Sequence, residues 1–241
     1  MILGLSNINV FKIFFDVVFE DTDTVEFRGN KNGVNISLLD KSHTCFFNVE
    51  YDADFFDDYE VDGVEVFSVF IDDLSKILKT ASKSDYLTLS SDDTRVMAKF
   101  ESNGNSRVFE LVQPADFGDS PIPPNVDTTC EVILTFDEFG QSLKDLEILK
   151  TGSIHLVFKD KDLYIATETD ASMNYQYTIH NTGSGEGDAH YTIDLLKKLL
   201  KFKGVDNRIM LNFGNTLPLC WVVEGVNVKV SGLIAPRIVE D

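Results

Sequence analysis

Residues 207–241 read NRIMLNFGNTLPLCWVVEGVNVKVSGLIAPRIVED. Ile209 to Phe213 and Val226 to Val230 alternate apolar with polar side chains, the period-2 pattern of a strand with one face on a core. Gly214, Asn215 and Pro218 lie between them and supply turn chemistry. The sequence then runs through Leu233, Ile234, Ala235, Pro236, Arg237 and Ile238 into an acidic end. Segments in this position are usually polar and loose, so an apolar one predicts an ordered surface on which something docks.

Working outward, four stretches carry helical periodicity. The first, Asn7 to Glu20, is apolar except for a narrow stripe of Asn9, Lys12, Asp16 and Glu20. In the second, Asp72 to Lys83, Leu74, Ile77, Leu78 and Ala81 face inward and Lys76, Lys79 and Lys83 outward. The third, Asp137 to Leu149, turns Phe139, Leu143 and Leu146 inward. The fourth, Thr192 to Lys203, does so with Leu195, Leu196, Leu199 and Leu200, and turns Lys197, Lys198 and Lys201 out. Asp72 and Thr192 are expected to cap their helices, and Gly204 to end the last one. Most other periodic segments read as strands: Thr24 to Phe27, Val34 to Leu38, Thr44 to Glu50, Tyr86 to Leu89, Val96 to Phe100, Ser106 to Val112, Ile154 to Phe158, Leu163 to Thr167 and Met173 to Ile179. Turns are expected at Asn30, Asn32-Gly33 and Asn103-Gly104-Asn105.

The halves repeat. Leu74-Ser-Lys-Ile-Leu-Lys79 matches Leu196-Lys-Lys-Leu-Leu-Lys201, each preceded by Ile-Asp, Ile71-Asp72 and Ile193-Asp194, at one offset. Ile36 and Ile165 fall in matching early strands. A single long-period repeat means duplicated domains rather than a solenoid. Between the halves, Leu111 to Cys130 holds Pro114, Pro121, Pro123 and Pro124, a stiff, extended connector. The expected domains are 1–112 and 131–241, with 113–130 joining them.

The net charge is −19, which taken whole disfavours nucleic acid as a ligand. The predicted helices nevertheless carry as many basic as acidic side chains, so the whole acidic excess lies outside them. The second and fourth helices concentrate lysines on their polar faces. Screening acts over about 8 Å at physiological salt, so phosphates beside those lysines would feel them more than distant carboxylates. Lysines are mobile point charges that position a backbone without reading bases. Such weak attraction suits sliding on duplex DNA, provided enclosure supplies residence time.

Other chemistries find little support. The three cysteines, Cys45, Cys130 and Cys220, are far apart and form no CxxC pair, so they read as free thiols in a reducing compartment. No stretch reaches the roughly 18 apolar residues that span a bilayer, and the reading is of a soluble intracellular protein. His43, His155, His180 and His190 are scattered, with no nucleophile motif or HExxH. Asp52, Asp54, Asp57 and Asp58 invite a calcium loop, but Phe56 stands at a ligand position and the loop glycine is missing. Gly183-Ser-Gly-Glu-Gly187 lacks the P-loop lysine. No catalytic residue, metal ligand set or cofactor is expected.

Several segments resemble sliding clamps of the proliferating cell nuclear antigen (PCNA) type. The tail from Leu233 to Ile238 resembles that family's LAPKIE-like end. Gly33-Val-Asn-Ile-Ser-Leu-Leu-Asp-Lys-Ser-His43 looks like its GVNLQSMDSSH segment, and Leu74-Ser-Lys-Ile-Leu-Lys-Thr-Ala81 is similar to its SMSKILKCA helix. Phe213-Gly-Asn-Thr-Leu-Pro-Leu219 resembles the archaeal FGNEMPL turn, and Ile122-Pro123 sits where the connector carries IP. Leu233 departs from the tyrosine of many relatives.

The resemblance implies an α+β fold of two similar clamp domains, with antiparallel β-sheets outside and two helices per domain on the inner face, joined by the extended connector. It implies a DNA sliding clamp and processivity factor, a homotrimeric ring that encircles duplex DNA without regard to sequence. DNA polymerase, ligase, nuclease and clamp loader would bind through short aromatic-containing peptides, in the nucleus of a eukaryote, or in the cytoplasm for an archaeal protein or a viral one in a prokaryotic host. The DNA-facing residues would be Lys12, Lys76, Lys79, Lys83, Lys144, Lys197, Lys198 and Lys201. The peptide pocket would use Leu39, His43, Phe46, Ile122, Pro218, Leu233, Ala235, Pro236 and Ile238, a helix-in-groove surface. Arg107, Phe109 and Leu111 of one chain would meet Met173, Tyr175 and Tyr177 of the next, strand against strand. The alternatives are a clamp-like monomeric scaffold, an acidic DNA mimic, and a β-rich hydrolase for which no catalytic constellation is found.

Overall fold

The structure is a computed structural model that describes residues 1–17, 22–92, 94–114, 120–167 and 173–238. The end of the first predicted helix, part of the connector and the acidic end at 239–241 lie outside the described residues.

Strands form where apolar and polar residues alternate, and helices where the spacing becomes three and four. The first half runs β1 (Ile2–Leu5), α1 (Ile8–Val17), β2 (Thr24–Asn30), β3 (Gly33–Leu39), β4 (Cys45–Asp52), β5 (Asp58–Glu60), β6 (Val64–Phe70), α2 (Ile71–Lys79), β7 (Tyr86–Ser91), β8 (Arg95–Ser102) and β9 (Asn105–Val112). The second runs β10 (Cys130–Thr135), α3 (Phe136–Ile148), β11 (Ser153–Lys159), β12 (Asp162–Ala166), β13 (Gln176–Ile179), β14 (Gly183–Gly185), β15 (Gly187–Thr192), α4 (Ile193–Leu199), β16 (Arg208–Phe213), β17 (Leu219–Gly225) and β18 (Val228–Ile234). Residues 121–128 of the connector adopt neither helix nor strand.

The chain divides into two compact units. The first comprises Met1–His43, Phe47–Ile122 and Gly225–Val230, and the second Thr44–Phe46, Pro123–Glu224 and Ser231–Asp241. The strands order as β5-β1-β7-β8-β9, as β14-β10-β16-β17-β18-β4-β3-β2-β6 and as β13-β12-β11-β15, so the runs β5-β1-β7-β8-β9 and β4-β3-β2-β6 of the first half repeat as β14-β10-β16-β17-β18 and β13-β12-β11-β15 in the second. The resolved pairings are antiparallel, as hairpin connections allow. The helices α2 and α4 begin at Ile71 and Ile193, the residues that the sequence repeat aligns.

The core of the first unit is built from rings. Phe27 stacks on Phe67 at 4.5 Å, and Phe11 and Phe15 of α1 close over Phe27 at 6.3 and 6.0 Å. Each such ring contributes roughly 1.5–3 kcal/mol of burial. The second unit uses Trp221 stacked on Phe202 at 5.2 Å, with Leu143, Leu146, Leu196 and Leu199 around the helices.

Several boundaries differ from the sequence pattern, each for a local reason. The helix α2 ends at Lys79, because the amide and hydroxyl of Ser82 donate to the Asp85 carboxylate and fold the chain into a turn. Ala81 and Lys83 therefore lie beyond the helix. The cap position of α2 is Phe70, not Asp72, which falls in the first turn. Thr192 is the N-cap of α4 but its side chain makes no capping bond, and α4 tightens into a 3₁₀ turn over Leu200–Gly204. The strand expected from Met173 starts at Gln176, because the Tyr175 amide donates to the Thr167 hydroxyl instead of a ladder carbonyl. Val226 sits in the hairpin turn before β18, where Asn227 takes a positive φ of 58°. At Gly33 a Cβ would come within 2.0 Å of the Tyr51 carbonyl oxygen, so that turn requires glycine.

Candidate nucleic-acid and partner surfaces

In each unit the two helices lie against each other, α1 beside α2 and α3 beside α4. Their apolar stripes are spent on the sheets: Leu74, Ile77 and Leu78 of α2 and Ile193, Leu196 and Leu199 of α4 are buried. That burial fixes which way the lysines point.

Lys76 and Lys79 stand in the last turn of α2, where cations also complement the helix dipole. The Lys76 side chain is 73% exposed and its ammonium lies 3.5 Å from Asp73, an exposed pair worth little. Lys79, Lys83 and Lys144 are exposed and make no ion pair among the described residues. Lys12 is half-buried on α1. Lys197 differs: its ammonium donates to Glu147 of α3 at 2.6 Å and lies 3.8 Å from Asp194. The Glu147 hydrogen bond holds its pKa above the ordinary lysine value, and only 33% of the side chain is exposed. Lys198 is half-buried, and Lys201 is exposed on the 3₁₀ turn. Lys203, not expected to have a partner role, pairs with Asp137.

Two sheets end on strands predicted to join chains. The strand β9 is eight residues long and mostly exposed, and β13 ends the four-stranded sheet of the second unit. A long, exposed edge is a template for another strand. On β9 the guanidinium of Arg107 donates to the Asp85 carboxylate and lies 5.1 Å above the Phe100 ring, while Phe109 meets Phe100 edge-on. Leu111 is buried. Before β13, Met173 is exposed and the Tyr175 hydroxyl donates to Asp145 at 2.9 Å; Tyr177, on the strand, is half-buried.

The predicted pocket residues fall on both units. In the first, Leu39 ends β3, His43 takes a positive φ of 57° in the following turn, and Ile122 is 89% exposed. In the second, Leu233, Ala235, Pro236 and Pro218 are half-buried, and Ile238 is 88% exposed. Phe46 is buried, so of the nine it offers least surface. The tail is tied down through its backbone: the Ala235 amide donates to the Thr44 carbonyl at 2.8 Å and the Arg237 amide to the His190 carbonyl at 2.7 Å. The second bond extends the edge of β15 by one bridge.

The acidic run 52–58 is structural. Asp57 accepts from the Ser6 amide and Asp58 from the Tyr86 hydroxyl. The histidines are less scattered than the sequence suggests. His155 and His190 face each other across β11 and β15, beside Asp188. Only strand register brings them together, and no local sequence signal encodes it. Cys45 and Cys130 are buried and Cys220 half-buried, all as free thiols; burial pushes the Cys130 thiol up to about 11, where it is unreactive. No described helix is long and apolar enough to cross a membrane.

A family model described as proliferating cell nuclear antigen, N-terminal domain, matches residues 2–113. The chain is 27% identical over 242 residues to a protein of Methanothermobacter thermautotrophicus named DNA polymerase sliding clamp, covering 97% of this chain and 96% of that one. A Pyrococcus abyssi protein of the same name is 23% identical over 90% of each. Among solved structures, one chain of a PCNA2–PCNA3 complex from Sulfolobus tokodaii superposes with a TM-score of 0.88 at 19% identity, covering 98% of this chain and 99% of that one. PCNA from Thermococcus kodakaraensis gives 0.87 at 16% identity, with 98% and 99% covered. At those identities the superpositions establish the fold.

Proposed function

We infer that this chain, a member of the proliferating cell nuclear antigen family, is a DNA sliding clamp, a processivity factor that keeps a polymerase on its template. The observation that carries the reading is the duplicated unit itself. Two copies of one strand order each present a helix pair with outward lysines, and among the described residues β9 and β13 are both end strands of their sheets. Head-to-tail pairing of such edges closes rings when the rotation closes.

Residues 1–112 and 131–241 form the clamp domains and 113–130 the connector. The ring is a homotrimer whose chains join β9 to β13, with Arg107, Phe109 and Leu111 facing Met173, Tyr175 and Tyr177. Duplex DNA passes through it against Lys12, Lys76, Lys79, Lys83, Lys144, Lys198 and Lys201, with Lys197 contributing least because Glu147 already neutralises it. Lysines spread over short helices contact phosphates at any sequence, and the surrounding carboxylates prevent tight, static binding. Residence comes from enclosure. The clamp does no chemistry of its own. Polymerase, ligase, nuclease and loader dock inside the cell, through short peptides with paired aromatics, on the surface that includes Ile122, Pro218, Leu233, Ala235, Pro236 and Ile238.

Light scattering at several concentrations tests the ring: a three-chain mass is expected, and a single-chain mass at every concentration would overturn it. Retention on a nicked circular plasmid, with release on linearisation, tests enclosure. Equal loss from both templates would count against it.

A further inference from the structure

We propose that His155, Asp188 and His190 form a binding site for a divalent transition-metal ion of the zinc class on the four-stranded sheet of the second unit. The site follows from register. His155 of β11 stands directly opposite His190 of β15, and Asp188 precedes His190 by two residues, so all three side chains project from one face. Their ligand atoms lie within 4.8 Å of one another. The His155 Nε2 is 2.6 Å from the Asp188 carboxylate, and the two imidazole rings lie parallel with centroids 4.2 Å apart.

Two imidazoles and a carboxylate suit zinc, which takes nitrogen at about 2.0–2.1 Å and carboxylate oxygen at about 2.0–2.2 Å in tetrahedral geometry. Imidazole also suits copper and nickel, whereas calcium and magnesium prefer all-oxygen shells. The stack as it stands does not aim both rings at one point. Closing on an ion requires the rings to splay about χ2, a torsion with a broad, shallow profile. Exposure permits this: 26% of the His155 and 57% of the Asp188 side chain is open to solvent. The backbone underneath is a paired ladder, so the ligands sit on a rigid platform. The carboxylate supplies one negative charge, and the strongly acidic chain raises the local cation concentration. The site adjoins the place where the tail joins β15 through Arg237. A β-ladder that already holds a His–Asp hydrogen bond and a ring stack could keep these residues for packing alone, and metal titration separates the two roles.

The full-length protein, stripped with chelator, is titrated with zinc by calorimetry and with cobalt(II) by visible absorption. One ion per chain is expected, with cobalt bands of a low-coordinate site. His155→Ala and His190→Ala should each weaken binding at least ~10-fold, and Asp188→Asn should weaken it less. Thermal melting confirms that each variant folds, and the exposed Asp188→Asn serves if a histidine variant does not. Absence of uptake, or uptake undiminished in His155→Ala and Asp188→Asn, overturns the proposal.

Discussion

In the first unit Phe11, Phe15, Phe27 and Phe67 form a run of touching rings, and Tyr51 joins them 5.4 Å from Phe11. In the second, the ring contacts are separate: Trp221 stacks on Phe202 and Tyr191 meets Phe213 edge-on, while Phe139 and Phe158 are buried among leucines, isoleucines and valines. Yet the two units share one strand order in both sheets. The difference teaches that the inward-outward pattern and its volume specify this fold, while the identity of the filler is free to drift. Among the described residues, eight buried phenylalanines lie in the first unit and six in the second. The helices also differ in how they begin. Thr135 and Glu138 form a full capping box on α3, whereas neither Phe70 nor Thr192 supplies a side-chain cap to α2 or α4. They diverge again at their lysines, exposed on α2 and partly neutralised on α4.

The largest effect should come from the cores. Phe27→Ala removes the ring shared by α1 and β6 and should cost about 3–5 kcal/mol in chemical denaturation. Trp221→Ala should cost the second unit about the same. A loss below ~1 kcal/mol in either would show that the two fillings are not equivalent.

The lysine faces come next. Lys76→Ala with Lys79→Ala should flatten the salt dependence of DNA binding, its log–log slope falling by about 0.9 for each phosphate no longer neutralised. Lys197→Ala should change that slope least, because Glu147 holds its ammonium. An equal change from Lys197 would mean that the α3–α4 ion pair opens on DNA.

Helix starts give a smaller contrast. Thr135→Ala should cost about 1 kcal/mol, read as a shift in the denaturation midpoint, while Thr192→Ala should cost only a few tenths. Equal costs would break the distinction between the two caps.

The smallest effect is one of pH. Hydrogen bonds from Ser82, together with the Arg107 guanidinium, hold the Asp85 carboxyl below its usual range. A lowered folded-state pKa stabilises above the unfolded value near 4 and is lost as pH falls through the folded value. Asp85→Asn should therefore lower the melting temperature at pH 7 and matter progressively less below pH ~4. The corresponding residue of the second unit is Asn207, so Asn207→Ala should leave the acid limb of the melting profile unchanged.

Much of this was legible residue by residue. Alternation located the strands around Ile209 and Val228, the three-and-four spacing located all four helices, and the Ile-Asp pairs with their leucine-lysine runs aligned the starts of α2 and α4. Boundaries set by side-chain competition were less legible: the Ser82–Asp85 turn ends α2, and Thr167 delays β13. Of the candidate site, the direction of Lys76 and Lys79 followed from the apolar stripe beneath them. The pairing of Lys197 did not, because Glu147 comes from a different helix.

What the sequence determined alone is whatever one stretch of backbone decides: period, turn chemistry and the sign of the charge on each helix face. These depend on neighbours a few residues apart, which the order of residues records directly. Tertiary structure alone decided which strands are left as edges, which lysines meet a carboxylate, and that His155 lies against His190. Each depends on which distant segments meet, and for His155 and His190 a slip of one residue in strand register would turn the side chains to opposite faces.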